Sequence, residues 1–299
     1  MRHLRILALA AFQVSLLAIA AASTHAAEEK APRRLLFFNR SAGYQHSVVQ
    51  VNDGKPCYAE AVLQPICAAN DWDMVSTKDG SIFTPENIAK FDAFVFYTTG
   101  DLTAPEAADG SKPMPEAGKK AFLDAIKGGK GFVGFHCATD TFHSPGELGD
   151  AQPPGRRDPY IDMIGGEFIL HGRQQDAVMT VVDSKFPGAE GLGKSFKMME
   201  EWYSLKNFAD DLHVLLVNET EGMQDKCYDR PPYPATWIRN HGKGRVFYTS
   251  MGHREDVWKR PEFQNLVIGG IKWAVGDAKA DTTPNLREAA PKADVMPRK

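Results

Sequence analysis

Residues Gly131–Asp140 read G-F-V-G-F-H-C-A-T-D, and this stretch decides the fold. A lysine–glycine turn, Lys127–Lys130, leads into the apolar run Phe132–Phe135, and small residues, Gly134 and Ala138, stand on either side of His136. In α/β enzymes a strand that ends in a G-x-nucleophile-x-small turn throws one side chain out of the top of the sheet. The spacing places His136 at that apex and Cys137 one residue off it. An elbow that presents an imidazole favours acid–base or metal chemistry over acyl transfer, because imidazole titrates near neutrality and ligates metals.

Outward from the elbow, the pattern alternates strands and helices. Leu35–Asn39 is a short apolar run and reads as a buried first strand, Trp72–Ser76 as a second, and Phe91–Thr98 as a third. Between them Ser47–Asn70 has helical spacing broken at Gly54–Pro56, and Thr84-Pro85-Glu86 is a helix start. Pro115–Lys127 reads as a helix closed by Gly128 and Gly129. This alternation predicts an α/β fold with a parallel sheet and helices on both faces, and ligands bind beyond the carboxyl ends of such strands. The second half is richer in strands, expected at Ala177–Val182, His213–Val217, Ala235–Arg239 and Arg245–Thr249. A helix, Phe263–Val275, closes the domain despite Gly269 and Gly270 inside it. From Asp277 onward the composition predicts a tail without fixed structure.

The chain has 299 residues, 43% hydrophobic and 24% charged, with a formal net charge of -3. That suits a soluble globular chain with an ample core, and the absence of a long basic run argues against nucleic acid as a partner. Arg2 and Arg5 precede the apolar run Ile6–Ala22 and the small residues Ser23–Ala27, the pattern of a secretory leader over residues 1–27. The run is short for a membrane span and no lipobox cysteine follows it, so the expectation is export to the periplasm or medium, with no stable membrane insertion after cleavage. Four cysteines, Cys57, Cys67, Cys137 and Cys227, are too few to staple so large a chain; Cys57 and Cys67 lie near enough in sequence to pair.

Six histidines, His46, His136, His143, His171, His241 and His253, sit in or beside loop-like segments, whereas His213 opens a strand. Several have glycine beside them at strand ends, and the expectation is that three converge in one pocket. In Glu200-Glu201-Trp202-Tyr203 the adjacent carboxylates point to opposite sides, so only one can face that pocket. A carboxylate beside aromatic residues also fits a sugar site, where rings stack and carboxylates move protons. Tyr248–His253 repeats the elbow design, a strand followed by a glycine turn carrying a histidine. Two such histidines and a carboxylate, His136, His253 and Glu201, are candidate ligands for a divalent metal such as zinc. No HExxH or CxxC spacing supports that set independently. A Cys137-dependent hydrolase is the alternative, and it needs the thiol at the apex.

The blocks G-F-H-C-A-T-D-T-F, I-G-G-E-F-I-L-H-G, E-E-W-Y, P-A-T-W-I-R-N-H-G-K-G-R-V-F-Y-T-S-M-G-H and I-K-W-A-V-G resemble the trehalose-utilisation (ThuA-like) family in order and spacing, from about Leu35 to Gly276. The resemblance implies a domain over residues 28–276 with a flavodoxin-like, doubly wound, mainly parallel sheet, as in class I glutamine amidotransferases. In that superfamily the apex carries a cysteine; here His136 replaces it, so amidotransferase activity is not implied. The resemblance points to His46, His136, His171, Glu201 and His253 as site residues, with a small-molecule carbohydrate as partner. The chain departs from the family pattern at Cys137, where serine is usual, and by an insertion, Ser144–Arg157, a candidate lid segment. The expectation is therefore an enzyme acting on a sugar or keto-sugar derivative. His136, Glu201 and His253 would be catalytic, and His46, His171, Trp202, Tyr203 and Trp237 would bind substrate. A carbohydrate-binding domain without catalysis is the second alternative.

Overall fold

A computed structural model describes residues 31–51 and 54–297; the leader expected over residues 1–27 lies outside the described residues. The parallel part of the sheet is built from β1 (Arg33–Phe38), β2 (Trp72–Thr77), β3 (Ala93–Phe96), β4 (Gly131–Phe135) and β11 (Gly244–Thr249). The remaining strands are β5 (Glu167–His171), β6 (Gln175–Val181), β7 (Ser195–Glu200), β8 (Tyr203–Lys206), β9 (His213–Glu219) and β10 (Tyr233–His241). The helices are α1 (Tyr58–Ala68), α2 (Pro85–Ile88), α3 (Glu116–Gly128), α4 (Pro159–Ile164), α5 (Pro261–Val275) and α6 (Leu286–Ala289). Nine strands form one sheet in the order β2-β1-β3-β4-β11-β10-β9-β6-β7, and β5 pairs with β8 apart from it. Strands β2 to β11 in that order run parallel, and β10, β9, β6 and β7 extend the sheet antiparallel. The expected α/β class holds, and β5, β7 and β8 are strands that the sequence pattern did not reveal.

All residues of β3 and β4 are buried, which requires cover on both faces. On one face Phe94, Phe96 and Phe132 pack against Phe122 of α3. On the other, Phe135 meets Phe263 of α5, and Gly270 of α5 lies against the Phe247 ring, where a Cβ would come within 2.7 Å. Gly269 is required for a similar reason: its Cβ would lie 1.6 Å from the Pro187 carbonyl oxygen. The two glycines thus trade helix propensity for close approach. Among the described residues no helix is long and apolar enough to cross a membrane.

The tail expected to lack structure is instead docked. Asn285 Oδ1 accepts from the Val214 amide and its Nδ2 donates to the Val214 carbonyl, so one side chain pairs with β9 as a neighbouring strand would. Leu286, Ala290 and Ala293 are buried, and Arg230 Nη2 donates to the Ala293 carbonyl. Composition missed this because a few well-placed apolar residues are enough to seat a polar segment. Cys57 and Cys67 are both buried and free, so the pairing left open by the sequence is not made.

Candidate functional site

Five loops leave the carboxyl ends of the parallel strands at one edge of the sheet, and three of them carry a histidine of the site: His46 after β1, His136 after β4 and His253 after β11. His136 follows β4 directly and opens a 3-10 turn with a φ of 41°, the left-handed backbone expected of a sharp elbow. Its Nδ1–H donates to the Ser250 carbonyl (3.0 Å), which leaves the Nε2 lone pair facing inward. The ring centroids of His46, His136 and His253 lie 5.1 Å from one another. Glu201, between β7 and β8, closes the group. Its Oε2 lies 3.0 Å from His253 Nδ1 and 3.6 Å from His136 Nε2, and His253 Nδ1 lies 3.3 Å from His136 Nε2. Ligand atoms of His46, His136, Glu201 and His253 all fall within 4.8 Å of one another.

Burial sets the electrostatics. His46 is pushed down to about 2, first by desolvation and then by the neighbouring His136 and His253. Desolvation also lowers His136, against the opposing pull of the Glu201 carboxylate 3.6 Å away. Burial works to raise Glu201, but the imidazoles of His136 and His253 hold it well below the usual carboxylate range. Burial thus favours the neutral form of His46 and His136 beside an anionic Glu201, the protonation states in which these groups bind metal. His46 Nδ1 is buried without a hydrogen-bond partner, and its Nε2 lies 3.4 Å from the Tyr203 hydroxyl.

The two adjacent glutamates divide as the alternation predicted. Glu201 faces the imidazoles, and Glu200 turns the other way, into a role that no sequence motif marks. Glu200 Oε1 accepts from the amides of Gly252 and His253, each at 2.7 Å, and its Oε2 accepts from those of Glu201 and Arg254. Burial pushes this carboxyl up to about 7 against those amide donors. Gly252, at φ 120°, gives its carbonyl to Tyr97 and Trp258, so the His253 turn is held from both sides. Gln174 is a second residue the sequence did not single out. Its Oε1 accepts from Arg254 Nη1 (2.6 Å), and its Nε2 meets His253 Nε2 at 3.0 Å. Both act mainly through contacts 52 to 80 positions away in sequence, for which no local pattern exists.

His171 sits at the rim, 43% exposed, with Nδ1 3.3 Å from Glu201 Oε1. Tyr203 is buried under the cluster, its ring centroid 4.1 Å from that of His136. Two expected sugar-binding residues are elsewhere. Trp202 is fully buried and donates to the Gln175 carbonyl; Trp237 is fully buried against Tyr248 and donates to the Ile164 carbonyl. Both rings serve the core, since an indole that finds an N–H acceptor inside is well placed there. Cys137 is also fully buried, and desolvation raises its thiol well above the ordinary value, the reverse of what a thiolate nucleophile needs. His241 lies at the β10–β11 hairpin, opposite Gly244, at the far end of β11 from His253.

His143 belongs to a separate buried network that braces the insertion. It lies 2.9 Å from Asp140 and 3.5 Å from Glu167. Glu167 accepts from the Ser144 amide and Asn207 Nδ2, and Lys206 Nζ donates to the Asp150 carbonyl and Gln152 Oε1. Residues Ser144–Arg157 are thereby tied to β5 and β8.

A doubly wound α/β protein with a histidine at its elbow and an imidazole–carboxylate cluster beyond its strand ends defines the class. The family of proteins described as ThuA, trehalose utilisation, matches residues 34–274, and the chain belongs to it. Among solved structures, a ThuA-like protein from Bacteroides uniformis superposes with a TM-score of 0.61 at 19% identity, over 85% of this chain and 96% of that one. A ThuA-like protein from Parabacteroides merdae gives a TM-score of 0.58 at 18% identity, over 90% and 98%. These likenesses carry the fold. No curated protein matches the sequence.

Proposed function

We propose that this ThuA-family chain is an enzyme acting on a sugar or keto-sugar derivative, with a divalent cation such as zinc held by His46, His136, His253 and Glu201. One observation carries the cation. Tetrahedral zinc with bonds of about 2.0–2.1 Å has ligand atoms about 3.3 Å apart. The separations among Glu201 Oε2, His136 Nε2 and His253 Nδ1 are 3.0, 3.3 and 3.6 Å. The donor set fits as well: three imidazoles, one carboxylate, and a buried His46 nitrogen without a hydrogen-bond partner.

A cation there would supply Lewis acidity and an acidified water. The chain's own groups supply the rest. The Ser250 carbonyl fixes the His136 tautomer, and Glu200 fixes the turn that delivers His253. Glu201 turns Oε2 inward and leaves Oε1 to His171 at the exposed rim. A binding domain without catalysis needs no such convergence of imidazoles, whose burial costs free energy unless they pair or ligate. The carbohydrate class rests on family membership. Residues 1–27 support export as part of the same reading.

Metal analysis of the untagged purified chain tests the proposal. A stoichiometric divalent metal is expected, lost from His136→Ala and His253→Ala, with turnover of keto-sugar glycosides abolished by chelator. Equal metal content in the variants, or full turnover after chelation, refutes it.

A further inference from the structure

We infer that Tyr44 is the stacking platform on which the substrate's sugar ring lies at the mouth of the cluster; this rests on the carbohydrate reading above. The expected platform residues, Trp202 and Trp237, are fully buried, and Tyr203 is 3% exposed. Among the described residues Tyr44 is the one aromatic side chain classed as exposed, at 69%. It stands directly beside the chemistry: its ring is edge-on to His46, perpendicular at a centroid distance of 4.9 Å.

The backbone beneath it is fixed while the ring stays open to solvent. The Tyr44 carbonyl accepts from Thr99 Oγ1 (2.8 Å), and the amides of Ala42 and Gly43 both donate to the Thr99 carbonyl. Gly100, at φ 72°, allows this approach, since a Cβ there would come within 2.6 Å of the Gly43 nitrogen. An exposed aromatic ring on a rigid loop gains nothing from folding, yet it offers a flat apolar face at little entropy cost on binding. Beside His253 an open groove of about 480 Å³, lined by Ser47, Gln174, His253 and Arg254 among others, gives space for the rest of the ligand. Its lining sets Arg254 and Lys259 against Glu255 and Asp256, with Arg254 paired to Asp256 (2.8 Å), so the charges balance and the groove suits uncharged hydroxyls better than a phosphate.

The test uses the full zinc-loaded chain with methyl α-glucoside and trehalose as probes. Saturation-transfer NMR reads sugar binding, and a chelator competition reads zinc affinity in the same samples. Tyr44→Ala is expected to weaken sugar binding roughly three- to tenfold, the scale of one aromatic stacking contact. Tyr44→Phe should bind as the wild type does, and zinc affinity should be unchanged in both. Unchanged sugar binding in Tyr44→Ala overturns the platform and leaves the carbohydrate reading standing. Loss of a dimer in light scattering with sugar binding intact assigns Tyr44 to a subunit interface and also overturns it. A wild-type chain that binds neither sugar overturns the carbohydrate reading itself, and the platform with it.

Discussion

Replacing Glu201 by glutamine keeps the side-chain shape and removes the one anionic group that meets His136, His171 and His253 within 3.6 Å. Loss of a group that merely orients a metal ligand costs about 10- to 100-fold in affinity, so loss of the charged ligand itself should cost at least about 100-fold, or ~2.7 kcal/mol. The consequence can be read as stability. At zinc 1,000-fold above the wild-type Kd, binding stabilises the native state by ~4.1 kcal/mol, whereas a 100-fold weaker variant gains only ~1.4 kcal/mol. At about 2–4 °C per kcal/mol for a domain near this size, the zinc-induced rise in Tm should shrink by roughly 5–10 °C. Differential scanning fluorimetry with and without zinc measures this, each protein against its own metal-free form. That comparison removes any direct effect of the substitution on folding. If zinc raises the Tm of Glu201→Gln as much as that of the wild type, Glu201 is not a ligand. If it raises neither, the cation assignment falls.

His136→Ala should abolish zinc binding and turnover, while Cys137→Ser leaves both intact at a stability cost of about 1–3 kcal/mol for a buried hydroxyl; the opposite pattern would make the thiol the working group. The His143–Glu167 network predicts a pH profile. Burial opposes the charge on His143, but the carboxylates of Asp140 at 2.9 Å and Glu167 at 3.5 Å hold it up to about 9, above its ordinary 6.5. Its contribution is therefore full below about 6.5 and fades as pH rises through 9. Glu167 is held down to about 2 despite burial, by His143, Ser144 and Lys206, so its contribution is full above 4.5 and is lost as pH falls through 2. Urea midpoints measured against pH should plateau between about 4.5 and 6.5, and His143→Ala should flatten the alkaline limb; an unchanged limb refutes the assignment. N-terminal sequencing of protein from the native host should begin between Ser23 and Glu29, and an intact Met1 on cytoplasmic protein refutes export.

The local sequence around each functional residue determined more of this protein than its overall pattern did. The elbow at His136 was legible because a sharp turn needs small neighbours within two residues, a constraint that lies wholly in the chain around it. Histidines on glycine turns at strand ends were legible for the same reason, and the Glu200–Glu201 split followed from strand alternation alone. Tertiary structure alone decided which histidines meet. Nothing near His241 or His143 distinguishes them from His46 and His253, and the sorting depends on which end of which strand each loop leaves. Aromatic roles were equally hidden. Trp202 and Trp237 read as sugar platforms because indoles suit both cores and binding faces, and only the packing against Tyr248 and the Gln175 and Ile164 carbonyls places them inside. Tyr44 carries no local signal of exposure. It stands in solvent because Thr99 and Gly100, 55 and 56 positions away, hold its loop open beside His46. The tail followed the same rule: its composition is that of a solvated segment, and it is ordered by Asn285 finding Val214, a partner 71 residues earlier in the chain.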